Sequence, residues 1–531
     1  MLTTIGTYLN YLAPDIGKRR RVPRWPPDVF ALVAALLDES GAYISVTSKW
    51  PPGRVGKNTV KKLSDWVELI RNIGTLWRVA SVKDAVPPQE IQSWWDTVRA
   101  ANTTPLQEVK ENRELCDALL QLCASADEAS RGAGLPPVAD EFEVEAFLLL
   151  SRNSVGGSTL CKELETAPLR VLPKLHTAQS GLTLNCLSHH LALCRSGDIE
   201  PHWYWAPSQR LERHCLNLLI LPWPEIVRPS EFHEVKKSDV DMPSQFHFFT
   251  YEPMRGSTDV PARVAQILKR AERLVGEIDG VIFPELSLTL EEYEEVAPRI
   301  LKQGAFVVCG VISQGRGNRP GRNVVRFDVP MSPKHAVSYQ QDKHHRWKLD
   351  KAQIIQYGLG SSLNPEWHWW EHIEIGTRQL MFVAMRSWLT VSVLICEDLA
   401  RQHPVAELVR SVGPNLVLSV LMDGPQLAAR WPARYATVLA DDPGCSVLTL
   451  SSLGMVQLCR PLDSPATSRN IALWKDAKSG RPIEIEIPAG AGGVVLNLAI
   501  QRLQEWAADG RGDDSSTGYP ILAGVHPVFE R

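Results

Sequence analysis

Three side chains stand at the ends of runs that read as buried strands, and together they could carry out acyl transfer. Glu285 follows Val281-Ile282-Phe283-Pro284, Cys396 follows Val391-Ser392-Val393-Leu394-Ile395, and Lys343 follows Ser338-Tyr339-Gln340-Gln341-Asp342. A thiolate attacks an electrophilic carbon, and a carboxylate can take the thiol proton and return it to a leaving amine. An ammonium group offsets the charge that develops on the carbonyl oxygen. Taken singly, a thiol at a strand end is more often a packing group than a nucleophile. The argument therefore rests on the elements that would bring the three together.

After Arg213 the sequence alternates short buried runs with amphipathic ones. Leu216 to Leu221, Asp279 to Phe283, Ala305 to Ile312, Asn323 to Val329, Ala336 to Gln340, Leu380 to Val383 and Leu389 to Ile395 read as strands. Leu416 to Leu421, Ser446 to Leu450, Ile483 to Ile487 and Val494 to Leu498 continue the series. Helices are expected over Pro261–Glu277, Leu290–Lys302, Ala406–Ser411 and Trp431–Leu439. This alternation predicts an α/β domain, and functional groups of such folds sit at strand ends.

The first 152 residues read as a mainly α-helical N-terminal domain. Asp28 is expected to cap a helix with the stripe Val29, Phe30, Leu32, Val33, Leu36 and Leu37. Further helices are expected over Thr59–Ile73, after Pro87-Pro88, from Pro105 to Leu122, and from Asp140 to Leu150. Residues 153–213 read as a connector, 214–500 as the α/β domain, and 501–531 as a C-terminal tail whose apolar end could dock on a partner.

The 531 residues carry 57 Lys+Arg against 60 Asp+Glu, a net charge of -3, which excludes a chain-wide polybasic surface. The exception is Lys18-Arg19-Arg20-Arg21 with Arg24, an arm that could meet nucleic acid or an acidic protein. Its more common role is a solvated terminus. The 10 Cys show no Cys-x-x-Cys pair and read as reduced thiols. No apolar run approaches the roughly 20 residues that span a bilayer, and the start lacks a signal-peptide pattern. The expectation is a cytoplasmic protein without a membrane span. His189-His190 and His344-His345 lack a well-spaced third ligand, so neither a metal nor a cofactor is expected. Arg511-Gly512-Asp513 spells an adhesion tripeptide and nothing more.

The order Gly280 to Ser287 around Pro284-Glu285, then Lys343, then Val393-Leu394-Ile395-Cys396-Glu397-Asp398-Leu399 resembles the nitrilase, or carbon–nitrogen hydrolase, superfamily. The likeness continues through Gly413–Ser419, Arg434–Ala440 and Ser446–Gly454, covering about residues 214 to 500. It implies a four-layer αββα sandwich and a thiol-dependent hydrolase acting on a non-peptide C–N bond, an amide or a nitrile. Cys396 would form a thioester, Glu285 would act as general base and acid, and Lys343 would hold the oxyanion with the backbone N–H of Glu397. Lys348 and Lys351 are nearby rivals to Lys343. Many members carry a second glutamate that positions substrate, and Glu371 fits by its distance from Cys396, with Glu366 as the alternative.

Where the family often has an aromatic residue after the nucleophile, this chain has Glu397. Glu397-Asp398 is similar to the glutaminase domain of glutamine-dependent NAD synthetases, but no Ser-Gly-Gly-x-Asp-Ser loop follows. A glutamate here raises the thiol pKa unless a cation such as Arg401 holds it. The resemblance implies a homodimer or larger assembly through an outer helical layer. The alternative is a nitrilase-like scaffold or signalling module, as in bacterial defence proteins, with its role set by the N-terminal domain. Transfer of the acyl group to an amine is a third option.

Overall fold

A computed structural model describes residues 3–14, 16, 19–47, 59–136, 142–154, 157–164, 168–195, 197–208, 213–236, 242–254, 258–313, 315, 320–376, 378–459, 468–514 and 517–530. Lys18 of the basic arm therefore lies outside the described residues.

The N-terminal part holds α1 (Ile5–Leu12), α2 (Pro26–Ser40), α3 (Thr59–Val82), α4 (Gln89–Ala100), α5 (Arg113–Ala129) and α6 (Phe142–Ser154). Two expectations shift here. Proline at the first helical positions starts α2 before Asp28, so Asp28 lies in the first turn. It is buried and accepts hydrogen bonds from the N–H groups of Lys162, Glu163 and Leu164. The helix expected from Pro105 is interrupted at Asn112, whose side chain accepts the N–H of Leu115 and caps α5.

Two large sheets follow. The first runs β11 (His335–Asp342), β10 (Arg322–Ser332), β9 (Phe306–Ser313), β7 (Gly280–Ile282), β4 (Cys215–Ile220), β20 (Ala491–Leu503) and β21 (Thr517–Phe529), with β8 (Leu288–Thr289) beside β9. The second runs β19 (Ile483–Glu486), β18 (Asn470–Lys475), β17 (Ser446–Ser451), β16 (Leu416–Leu421), β15 (Leu389–Ile395), β14 (Gln379–Arg386) and β3 (Glu200–Trp205). A hairpin, β1 (Leu169–Pro173) with β2 (Leu191–Arg195), precedes them. A smaller sheet orders β12 (Lys348–Leu349), β13 (His368–Glu371), β6 (Phe246–Tyr251) and β5 (Phe232–Glu234).

The period-two alternation of the strands sorts their side chains between faces. Leu216, Leu218 and Ile220 of β4 meet Val391, Val393 and Ile395 of β15 in one buried cluster between the large sheets. Leu219, Val281 and Val307 point the other way, onto α7 (Val260–Val275) and α8 (Leu290–Leu301). Each such Leu or Val contributes roughly 1.5–3 kcal/mol when fully buried. Parallel neighbours β15 and β16 are buried throughout, which explains their predominantly apolar sequences. The result is an α/β sandwich.

Leu394 and Val417 instead share a cluster with α9 (Glu407–Val412), α10 (Trp431–Asp441) and the N-terminal helices, including Phe30, Trp95 and Leu119. The helical part thus packs into the sandwich through one continuous core. The presumed connector supplies β3, which pairs in parallel with β14. The presumed tail is strand β21, paired with β20 from Ala491↔Phe529 to Leu503↔Thr517. Its apolar residues serve this chain's own sheet edge.

Candidate active site

Gly280 to Ile282 run as β7 into Pro284 and Glu285, and the chain then turns through Leu286 at φ +51. Gly310 makes that turn possible. A Cβ there would lie 2.4 Å from the Pro284 carbonyl oxygen and 2.5 Å from the Glu285 Cα, so a side chain is excluded. The Gly310 N–H donates to the Pro284 carbonyl at 3.1 Å, and the Ser287 N–H donates to Gly310 at 2.8 Å. The carboxylate is therefore presented by a braced turn.

Lys343 leaves the end of β11, where its N–H donates to the Asn323 carbonyl at 2.9 Å. Its buried Nζ donates to Glu285 Oε1 at 2.8 Å and to Glu371 Oε2 at 2.7 Å. Glu371, at the end of β13, also accepts the Trp347 N–H at 3.0 Å. Asn323 Nδ2 bridges the two carboxylates, at 2.7 Å from Glu285 Oε1 and 2.9 Å from Glu371 Oε1. Glu285 Oε2 and Asn323 Oδ1 are buried without a hydrogen-bond partner among the described residues.

Cys396 sits where β15 ends, 3 % exposed and at φ +47, a left-handed conformation that a side chain adopts only at a cost of about 1–3 kcal/mol. A 3₁₀ turn over Cys396–Ala400 follows it. The fully buried Asp398 of that turn accepts the His344 N–H at 3.1 Å and bonds His345 Nδ1 at 2.8 Å. One carboxylate therefore ties the cysteine turn to the residues after Lys343. Gln341 makes a parallel tie, donating to the Val393 carbonyl and accepting the Met381 N–H, both at 2.9 Å.

The charges divide the labour. Burial, then the Glu285 carboxylate, push the Cys396 thiol well above its ordinary range, and Lys343 pulls the other way. The resting sulfur is a thiol that needs a base. Burial raises the Glu285 pKa against the pull of Lys343, and the Glu371 charge adds to the rise. Burial works against the Lys343 ammonium, but Glu285 and Glu371 outweigh it and keep the group charged. Glu397 forms an ion pair with Arg401, the cation foreseen for it.

The rival residues lie elsewhere. Glu366 is exposed on a salt bridge to Lys351 at 2.6 Å, and Lys348 lies at the surface over the Trp370 ring. Glu371 meets Lys343 instead. A cavity of about 290 Å³ is lined by Leu286, Ile312, Trp347, Glu371 and Met422 among others. Among the described residues no group of His, Cys, Asp and Glu is arranged to hold a metal. Arg511 is fully buried, so its tripeptide offers no adhesion surface, and Arg19 and Arg24 of the basic arm are paired with Glu163 and Asp84.

Solved structures of nitrilase-superfamily proteins match this chain. An amidase from Nesterenkonia sp. shares 11% identity over 55% of this chain and 93% of its own, with a TM-score of 0.32. A CN-hydrolase superfamily protein of Xanthomonas campestris shares 16% over 54% and 90%, at 0.30. A glutamine-dependent NAD+ synthetase of Acinetobacter baumannii shares 10% over 59% of this chain and 48% of its own, at 0.34. No family model and no curated protein matches the chain.

Asn323 and the second role of Asp398 escaped the sequence reading. Asp398 was visible as part of the cysteine motif, but nothing in sequence says that its carboxylate reaches His344 and His345. Asn323 reads only as the first residue of a strand. Trp347, in the polar run after Lys343, lines the cavity, whereas Trp369 is fully buried behind it in the same apolar cluster.

Proposed function

We propose that this protein is a thiol-dependent hydrolase of a non-peptide C–N bond, amide or nitrile, working through a Cys396 thioester. The observation that carries the reading is Lys343 Nζ held between Glu285 and Glu371 while its charge and that of Glu285 act on the buried Cys396 thiol. In this reading Glu285, through its unpartnered Oε2, takes the thiol proton and the sulfur attacks the substrate carbon. The oxyanion is stabilised by Lys343 and the backbone N–H of Glu397. Glu285 returns the proton to the leaving nitrogen, and water activated by the same carboxylate cleaves the thioester. Glu371 positions Lys343 and the substrate.

The matching architecture is a four-layer αββα sandwich, with α7 and α8 outside one sheet and α9 and α10 outside the other. The N-terminal helical domain covers the second of these layers. A homodimer would then use the α7–α8 side. Among the described residues no helix is long and apolar enough to cross a membrane.

The test is release of ammonia from a panel of amides by the wild type and by Cys396→Ala. The substitution should lower turnover on the order of 10⁴-fold or more, with an unchanged thermal midpoint, and a thiol-reactive probe should label Cys396 in the wild type. Full activity of Cys396→Ala in vivo would establish the scaffold reading instead.

A further inference from the structure

Cys396 has a neighbour that the proposed chemistry leaves unused. Strands β15 and β16 are parallel with Ile395 opposite Val420, about 4.8 Å apart, and Cys396 is the residue that follows Ile395. Asp423 lies two residues beyond Leu421, the last of β16. Met422, between them, lines the same 290 Å³ cavity as Glu371 and Leu286.

Asp423 is 6 % exposed, and its two carboxylate oxygens are treated unequally. Oδ1 accepts the Tyr357 hydroxyl at 2.5 Å and Arg430 Nη2 at 2.7 Å. Oδ2 is buried and has no donor among the described residues. The surroundings fix this asymmetry. The Gly424 N–H donates to the Tyr357 oxygen at 3.1 Å, and the Asp423 N–H donates to Ser451 Oγ at 3.2 Å. Arg430 Nη1 rests on Cys459 Sγ at 3.4 Å, and a Cβ on Gly424 would fall 2.4 Å from that nitrogen. The guanidinium is thus held at Oδ1 and away from the open oxygen. Burial and the Asp423 charge keep Tyr357 protonated, so it remains a donor.

A buried carboxylate oxygen without a donor is destabilising, because it has lost its hydration and gained nothing in return. The fold bears that cost next to Met422, which lines the cavity, and close enough to Cys396 for the Asp423 charge to act on the thiol. Glu285, Lys343 and Glu371 come from the first sheet and its flank, and Asp423 from the second. In the proposed reaction the leaving nitrogen must face Glu285 to receive its proton. A donor at Asp423 therefore belongs to the acyl part of the substrate.

We infer that Asp423 determines specificity, accepting at Oδ2 an N–H from an amino group on the acyl portion, so that the preferred substrates are amides of amino acids or other amine-bearing acids. This rests on the C–N hydrolase reading for the orientation of the substrate. A cationic amine gains more at such an oxygen than a neutral donor does, because the hydrogen bond is charge-assisted.

The test uses full-length Cys396→Ala protein, which binds without turnover. Calorimetry compares glycinamide, β-alaninamide and 4-aminobutanamide with acetamide, propionamide and butanamide. At least one amine-bearing probe should bind about tenfold or more tighter than its uncharged counterpart. Adding Asp423→Asn keeps an acceptor for Tyr357 and Arg430 and removes the anionic oxygen, so the preference should vanish while uncharged probes change less than about threefold. The comparison within Cys396→Ala alone needs no change at Asp423, so a misfolded double variant does not rescue the idea. Equal binding within every pair, no binding of any probe, or a preference that survives in folded Asp423→Asn protein each overturns it. Ammonia release by the wild type is read separately. Turnover without the binding preference sinks only the role of Asp423, and the preference without turnover sinks only the hydrolase.

Discussion

Two buried ionic clusters in this molecule are built from the same kinds of group and treat their carboxylates in opposite ways. In one, Lys343 serves Glu285 and Glu371. In the other, Arg511 serves Asp127 and Glu128 of α5 and Asp509 of the loop between β20 and β21. Arg511 spends its whole fork: Nε on Asp509, Nη1 on Asp127, Glu128 and the Ala124 carbonyl, and Nη2 on the Leu187 carbonyl. Asp127 collects three further backbone N–H groups, from His189, His190 and Leu191. Burial works to raise its pKa, but Arg511 and the neighbouring histidines hold it down at about 2. Glu285, by contrast, has a raised pKa and an oxygen with no donor among the described residues. A planar guanidinium saturates several acceptors at once, whereas an ammonium leaves capacity unused. The saturated cluster joins the N-terminal helices to the end of the chain. The unsaturated one can bind and move a proton.

The largest separation between the clusters should come from Glu285→Gln. It keeps the shape and removes the base, so kcat/KM should fall about 10²- to 10⁴-fold, while the urea midpoint stays near that of the wild type. A variant that lost stability and activity together would make Glu285 a structural residue like Asp127.

Arg511→Met should do the reverse. Leaving buried carboxylates unpaired costs about 3–5 kcal/mol, to be read as a lowered urea midpoint, while the folded fraction keeps its kcat/KM. The pH dependence carries a sign as well. Asp127 is depressed from 3.8 to about 2 in the folded chain, so it contributes about 2–3 kcal/mol above the unfolded pKa. That share is lost as pH falls from about 5 towards 1. In Arg511→Met the unpaired Asp127 favours its proton, and mild acid should recover part of the lost stability.

How far these clusters could be read from sequence differs for a physical reason. Strand-end position is a local property, so Glu285, Lys343 and Cys396 could be picked out from the strand-like runs before them. The choice between Glu371 and Glu366 depends on where β13 lies against β6, a parallel pairing of residues far apart in the chain. The small sheet escaped notice because runs such as Phe246–Tyr251 and His368–Glu371 are short and rich in His and aromatic residues without clean alternation. The charged loop around Arg511 hid the return of the chain into β21, because its polar residues are satisfied by α5 rather than by water. Asn323 and Asp423 carry no local signal, since their value lies in which atoms remain unpaired.

The smaller effects probe how finely the Lys343 cluster is set. Glu371 raises the Glu285 pKa by its charge, so Glu371→Gln should move the acid limb of the kcat/KM profile to lower pH. That limb belongs to the coupled carboxylates as a group rather than to one residue. Asn323 acts in the other direction. Its Nδ2 donates to Glu285 Oε1 and so favours the ionised form. Asn323→Ala removes one hydrogen bond from each carboxylate, which at about 1–1.5 kcal/mol is roughly tenfold in kcat/KM. Its acid limb should move to higher pH, opposite to Glu371→Gln, because Glu285 then holds its proton more tightly. A shift of both variants in the same direction would mean that the limb reports some other group, and the contrast with Asp127 would lose its basis.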